Sequence, residues 1–221
     1  MSPARPPDGP HRLPEGVARS AENARMSDLH TVRLDTIAPT PWKNGGGTAR
    51  DLLMWPPGLQ WDLRISVAEI GRDGSFSDYT GFDRWFAVLH GAGVALQLGS
   101  DRWQLRRGGA PLRFDGALAP MCWLLDGATS DLNLLVRRDA GRGSMTRAHA
   151  GHDWVSPIAW RALFTTHALD LRVDGDMGPA VAGPALIWSP LAAQQRWRIA
   201  ALPDDALAYW IAFQPHPAHQ R

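Results

Sequence analysis

The chain has 221 residues, 44% hydrophobic and 20% charged, a balance that can bury a core and excludes a wholly disordered protein. Its formal net charge of +1 gives no field that gathers nucleic acid, and no apolar run reaches the length of about eighteen residues that spans a membrane. A lone cysteine, Cys122, excludes an internal disulfide; with no secretory leader pattern at the N-terminus, this points to the reducing cytoplasm.

Residues 1–26 are rich in Pro, Arg, Ala and Glu and poor in large apolar side chains, which predicts a disordered N-terminal extension with Met26 as the more natural start. Residues 27–140 read as a β-barrel. Thr31–Leu34 is a short alternating strand, and Pro41-Trp42-Lys43-Asn44-Gly45-Gly46-Gly47-Thr48 is a glycine loop leading into a strand up to Met54. Lys43 is the single lysine against 22 arginines, so this position keeps a compact cation where the rest of the chain uses planar guanidinium. Trp61 to Ile70 alternates cleanly. Trp61, Leu63, Ile65 and Val67 share one face, and Asp62, Arg64, Ser66 and Ala68 the other. The polar face lies either on the outer surface or inside a barrel cavity, and the pattern suits both.

A turn at Gly71–Gly74 and a polar, aromatic-bearing loop over Ser75–Arg84 follow. Strands are predicted at 85–89, 94–98, 103–105, 112–114, 119–125 and 132–136, separated by Gly or Asp-Gly turns. A strand every 8–12 residues or so is the cadence of a sandwich, jelly roll or barrel. Residues 141–221 read as a second set of strands packing on or completing the barrel. Within them, 139–157 is expected to be a long connection, and 160–166, 169–173, 185–188, 197–199 and 207–213 are expected strands. The eleven tryptophans are expected to fill the interior between sheets. Cys122 sits in an apolar run and reads as a buried, inert thiol.

The glycine loop is not a phosphate loop, because its lysine precedes the glycines and a strand follows them. No His-x-His pair occurs among the eight histidines, so no metal site and no cofactor are expected. No Gly-x-Ser-x-Gly elbow is present either. What remains is a polar set in the N-terminal half. Arg64 and Arg84 can grip a carboxylate in bidentate fashion, and Asn44, Ser66, Ser77, Thr48 and the amides of Gly45 and Gly46 can add neutral hydrogen bonds. Trp42 and Phe76 can form an apolar wall. The competing expectation is that Arg84 pairs with Asp83 or Asp78, and Arg64 with Asp62 or Glu69, as surface ion pairs. An enzyme would need a general base; His90, Asp83 and Asp78 are the candidates, and none has an evident orienting partner.

The block from Pro41 to Thr48, its spacing to Trp61–Ala68, Gly74-Ser75-Phe76-Ser77, Gly81-Phe82-Asp83-Arg84 and Asp131-Leu132-Asn133-Leu134-Leu135-Val136 together resemble the HutD/Ves family. Asp51 stands where the family pattern leads one to expect Glu. The resemblance spans roughly Thr31 to Arg138 and is poor from Gly141 onward. It implies an all-β, cupin-like jelly-roll barrel, with a degenerate double cupin as the larger form, and a cupin without metal. It further implies a small acidic metabolite as ligand, with N-formylglutamate the candidate, and a protein that moderates histidine utilization without catalysing a step. The alternative is a metal-independent cupin isomerase or hydrolase acting on a small carboxylic acid. Expected partners are therefore a small acidic ligand, with no nucleic acid and no membrane. Barrel edges of this kind leave room for a homodimer.

Overall fold

The computed structural model describes residues 28–217; the extension over 1–26 and the start at Met26 lie outside them. Four antiparallel sheets form two sandwiches set back to back. In the first, Thr40–Pro41, Gly47–Trp55, Leu63–Ile70, Thr129–Arg137, Phe82–His90 and Leu112–Asp115 lie side by side in that order as a six-stranded sheet. Gly74–Ser75, Met121–Leu124, Val94–Leu98 and Asp101–Leu105 make the four-stranded sheet opposite. In the second, the five-stranded sheet runs His30–Arg33, Ala185–Ser189, Trp160–Thr165, Ala208–Pro215 and Gly141–Ala148, and the four-stranded sheet Asp153–Val155, Arg196–Ala201, Asp170–Val173 and Asp176–Met177.

Three apolar cores follow from this layering. One lies between the two large sheets and takes Leu63, Ile65, Val67, Leu132, Leu134, Trp85, Trp160, Phe164 and Ile211. The alternation in the Leu63–Ile70 strand is thereby explained. Its apolar face packs against the other sandwich, where each fully buried Leu or Ile contributes about 1.5–3 kcal/mol, and its polar face looks into the first barrel. The second core fills the first sandwich with Ile70, Phe76, Phe86, Val88, Leu96, Phe114 and Cys122. Burial pushes the Cys122 thiol up to about 12, which keeps it protonated and unreactive.

The third core closes the second barrel. Trp197 is fully buried and Trp154 stacks on Trp210 at 4.7 Å. Arg161, also fully buried, donates from Nη1 to Trp154 O (3.2 Å) and from Nη2 to Gln195 O (2.8 Å) and Ala192 O, under the rings of Trp154 and Trp197. This guanidinium staples one strand carbonyl, Trp154 O, and two loop carbonyls, Ala192 O and Gln195 O, to a barrel interior packed with side chains such as Trp197, Ile199 and Leu171. Of the eleven tryptophans, Trp85, Trp160, Trp188, Trp197 and Trp210 are buried, and Trp103 is exposed.

Two expectations are corrected. Residues 139–157 are not a connection: Gly141–Ala148 is a full strand paired with Ala208–Pro215, and Asp153–Val155 is another. Gly141 and Gly143 serve close packing, while Gly151, at φ +84°, makes the turn between the two strands. A Cβ at Gly143 would lie 2.6 Å from Val136 Cγ2 and 3.2 Å from the Trp85 ring, where the two large sheets touch. And His30–Arg33, read with the first unit, crosses to pair with Ala185–Ser189 at the far edge of the second, where His30 stacks on Trp188 at 4.4 Å.

Candidate functional site

The inner face of the six-stranded sheet carries polar residues in register. Asp51 lies opposite Ser66, Ser66 opposite Asn133 and Asn133 opposite Phe86. One row along, Leu135 lies between Arg64 and Arg84. A cavity of about 560 Å³ opens over these rows, with Asp51, Arg64, Ser66, Tyr79, Arg84 and Asn133 on its inner surface and Trp42, Lys43, Asn44, Phe76 and Ser77 around it.

Each arginine is held in place by the protein. Arg64 donates from Nε to Asp51 Oδ1 at 2.7 Å and from Nη1 to Tyr79 Oη at 2.9 Å. Arg84 is 7% exposed and donates from Nε (3.0 Å) and Nη2 (2.6 Å) to Asn133 Oδ1. Its Cζ lies 4.4 Å from the centroid of Phe76, which meets Trp42 edge-on at 6.1 Å. Nη1 of Arg84 makes no hydrogen bond to a described residue. Burial lowers the Arg84 pKa to about 10, so the group stays charged at neutral pH. Behind it, Asn133 Nδ2 donates to Asp131 Oδ1, and Oδ2 of that 1%-exposed carboxyl has no hydrogen-bond partner among the described residues.

Of the residues expected to bind a ligand, Trp42, Asn44, Arg64, Ser66, Ser77 and Arg84 line the cavity. Gly45, Gly46 and Thr48 do not. The Gly45 amide is spent on Trp42 O (2.9 Å) and that of Gly46 on Asn44 Oδ1 (2.9 Å), while Asn44 Nδ2 reaches Ser75 O (3.2 Å). The loop thus latches itself to the neighbouring strand rather than presenting donors. Thr48 alternates with Ala49, which faces the cavity, and so belongs to the opposite face. The surface ion pairs expected for the arginines are also replaced: Arg64 takes Asp51, and Arg84 takes Asn133. Asp83 instead pairs with Arg113 at 2.7 Å, and Asp78 is bound by Thr80 N and Oγ1 at 2.7 and 2.8 Å. Neither of them, nor the exposed His90, lines the cavity.

The cavity residues Asp51, Tyr79 and Asn133 were missed, as was Asp131, which lies behind Asn133 without lining the cavity. The signal for the last two was available: Asp131, Asn133 and Leu135 alternate with Leu132, Leu134 and Val136, just as Arg64 and Ser66 alternate with Leu63, Ile65 and Val67.

The donor set does not suit a metal ion. Three cations, Lys43, Arg64 and Arg84, face the cavity against one carboxylate, Asp51, which is already paired, and no histidine lines it. The set suits an anion. Arg64, with its Nε and Nη1 donors committed, has less to offer than Arg84, so Arg64→Ala should weaken a carboxylate ligand by only about threefold to tenfold, within the range of a single neutral hydrogen bond. Calorimetric Kd values for the variant and the wild type check this.

Fold and cavity define a two-barrel, cupin-like fold with a cationic cavity in the first barrel; the second carries an open depression of about 550 Å³ lined by residues such as Leu169, Leu171, Val181 and Leu202, with no cationic side chain. The chain belongs to the HutD family, whose model matches residues 34–200. It is 34% identical over 114 residues to an uncharacterized 21.2 kDa protein in the hutC 3′ region of Pseudomonas putida, an alignment covering 50% of this chain and 59% of that relative. It is 30% identical over 130 residues to Protein Ves of Cronobacter sakazakii, covering 54% of this chain and 72% of Ves. The chain therefore matches about three-fifths of the length of the first relative and nearly three-quarters of the second. Among solved structures, HutD from Pseudomonas fluorescens SBW25 superposes with a TM-score of 0.74 at 21% identity, over 85% of this chain and 99% of that one. Salicylate 1,2-dioxygenase from Pseudoaminobacter salicylatoxidans shares the fold at a TM-score of 0.56 and 9% identity, over 93% of this chain and 91% of that one. No helix among the described residues is long and apolar enough to cross a membrane.

Proposed function

We propose that the first barrel binds a small acidic metabolite and that the protein moderates histidine utilization by binding rather than by turnover. The observation that carries this reading is the Arg84 guanidinium at the cavity surface, pinned by Asn133 and backed by Phe76, with its Nη1 left for a ligand. Ser66 and Ser77 add hydroxyls, Lys43 adds a second kind of cation, and Trp42 with Phe76 offers an apolar wall for a short carbon chain. Family membership and the hutC-region relative make an intermediate of histidine breakdown the leading class, with N-formylglutamate as candidate. The binding reading is favoured over a metal-independent isomerase or hydrolase because His90, Asp83 and Asp78 do not line the cavity, and the carboxylate that does, Asp51, is held in an ion pair with Arg64.

Calorimetric titration with N-formyl-L-glutamate, urocanate and L-glutamate, with product analysis of the same samples, tests the proposal. Saturable binding of one acid, recovered unchanged, is the expected result. Conversion of the bound acid would make the protein an enzyme, and failure of all three to bind would remove this ligand class.

A further inference from the structure

Asp131 has no role in the site so far, yet it occupies an unusual place. It lies on the inner face of the Thr129–Arg137 strand, with Ala68 opposite it on one neighbouring strand and Val88 on the other. It is 1% exposed, Oδ1 accepts from Asn133 Nδ2, and Oδ2 has no hydrogen-bond partner among the described residues. The same Asn133 side chain accepts both bonds from Arg84. An amide can receive two donors on its oxygen and donate from its nitrogen only in this orientation, so the acceptor at Asp131 fixes which way Asn133 points, and through it the fork of Arg84.

We propose that Asp131 is a positioning residue for the anion site, holding Arg84 through Asn133, and that its carboxyl takes up a proton when an anion occupies the cavity. This rests on the reading of the cavity as a site for acidic ligands and adds how its affinity is set.

The charges that act on Asp131 are few. From the Phe82–His90 strand it senses Arg84; from Met121–Leu124, across the barrel, Cys122 is its neighbour and is held neutral. Arg64, on the Leu63–Ile70 strand, lies in the same cross-strand row as Arg84, two rows from Asp131, and acts on Arg84. Burial raises the Asp131 carboxyl to about 7, against the opposing pull of Arg84 and of the Asn133 bond. The sign follows directly. Below this range the carboxyl is neutral, the Arg84 charge is uncompensated, and an anion binds tightly. Above it the carboxylate neutralises Arg84 and repels an incoming anion. Affinity therefore falls as pH rises through neutrality, and binding draws a proton onto Asp131. The ligand's own carboxylates are ionised throughout this range, and no histidine lines the cavity to give a competing slope.

The test titrates the full chain with N-formyl-L-glutamate at pH 6 and pH 8, and at pH 7 in two buffers of unlike ionisation heat. For the wild type, affinity should fall about tenfold between the two pH values, with net proton uptake at pH 7. In Asp131→Asn, which keeps shape and hydrogen bonding but cannot titrate, the affinity should be nearly flat with pH and the proton uptake lost. An equal slope in both proteins overturns the proposal. A simple structural role for Asp131 would lower affinity at every pH without removing the slope. If N-formyl-L-glutamate does not bind at any pH, the ligand reading fails separately, and the carbon-13 resonance of the Asp131 carboxyl in the unliganded wild type decides. Titration near neutral pH, accompanied by a shift of the Arg84 Nε–H signal, supports the coupling. Titration in the ordinary carboxylate range, or with Arg84 unmoved, overturns it.

Discussion

Arg84→Met is expected to reduce affinity for an acidic ligand by about 1.5–3 kcal/mol, or about tenfold to a hundredfold in Kd. Arg84 is the buried cation of the cavity, with one donor, Nη1, not bonded to a described residue and its other donors fixed on Asn133. A carboxylate meeting it there gains a charge-assisted bond in a partly desolvated site, where such bonds are strong. Methionine keeps an unbranched side chain that can fill space beside Phe76, so the substitution removes the guanidinium lying over that ring without opening the full volume of an alanine. It also leaves Asn133 Oδ1 without its two donors, so the unfolding midpoint should fall as well, and binding is to be compared on protein shown to be folded. Arg84→Lys separates the two contributions. It keeps the charge but cannot reach Asn133 and the ligand together, so its affinity should lie between those of the wild type and Arg84→Met. Calorimetry on the three proteins checks the order; equal affinity in all three would remove Arg84 from the site.

Gly47→Val is expected to be the most damaging single change in the glycine loop, costing about 3 kcal/mol or more. A Cβ at Gly47 would sit 2.1 Å from Glu69 O, a backbone atom of the paired strand, and 3.3 Å from the Trp42 ring. The carbonyl cannot move without parting the Gly47–Trp55 and Leu63–Ile70 strands, which carry Asp51, Arg64 and Ser66. Gly46 differs. Only Gly45 of the three has a positive φ, +65°, and the nearest atom to a Cβ at Gly46 is the tip of the Asn44 side chain at 3.2 Å. Gly46→Val should therefore be the milder variant. Urea midpoints for the two, measured side by side, test this; a Gly47→Val protein as stable as Gly46→Val would show that the close strand approach is not what the glycine provides.

The parts of this fold that a reader of the sequence could see are those written in short-range periodicity. The Leu63–Ile70 alternation places Arg64 and Ser66 on a face opposite Ile65 and Val67, and the turn cadence gives an all-β fold. What alternation does not give is the identity of the facing layer. That the apolar face meets a second sandwich, and the polar face a cavity, follows from long-range pairing between residues such as Trp85 and Gly143. Gly141–Ala148 was hidden for the same reason: its glycines look like a linker until the Trp85 ring that needs the space is known. At the site, the residue types were legible and their partners were not. Arg64 finds Asp51 across a strand pair and Tyr79 from a loop, neither of them its sequence neighbour, and the amides of Gly45 and Gly46 turn out to be spent within their own loop.

The most direct test of the account is a crystal structure of the full chain with N-formyl-L-glutamate. A ligand carboxylate within hydrogen-bond distance of Arg84 Nη1, beside Ser66 and under Trp42, is the predicted result. A ligand bound in the second barrel or on the outer surface, with the first cavity holding only solvent, would contradict it.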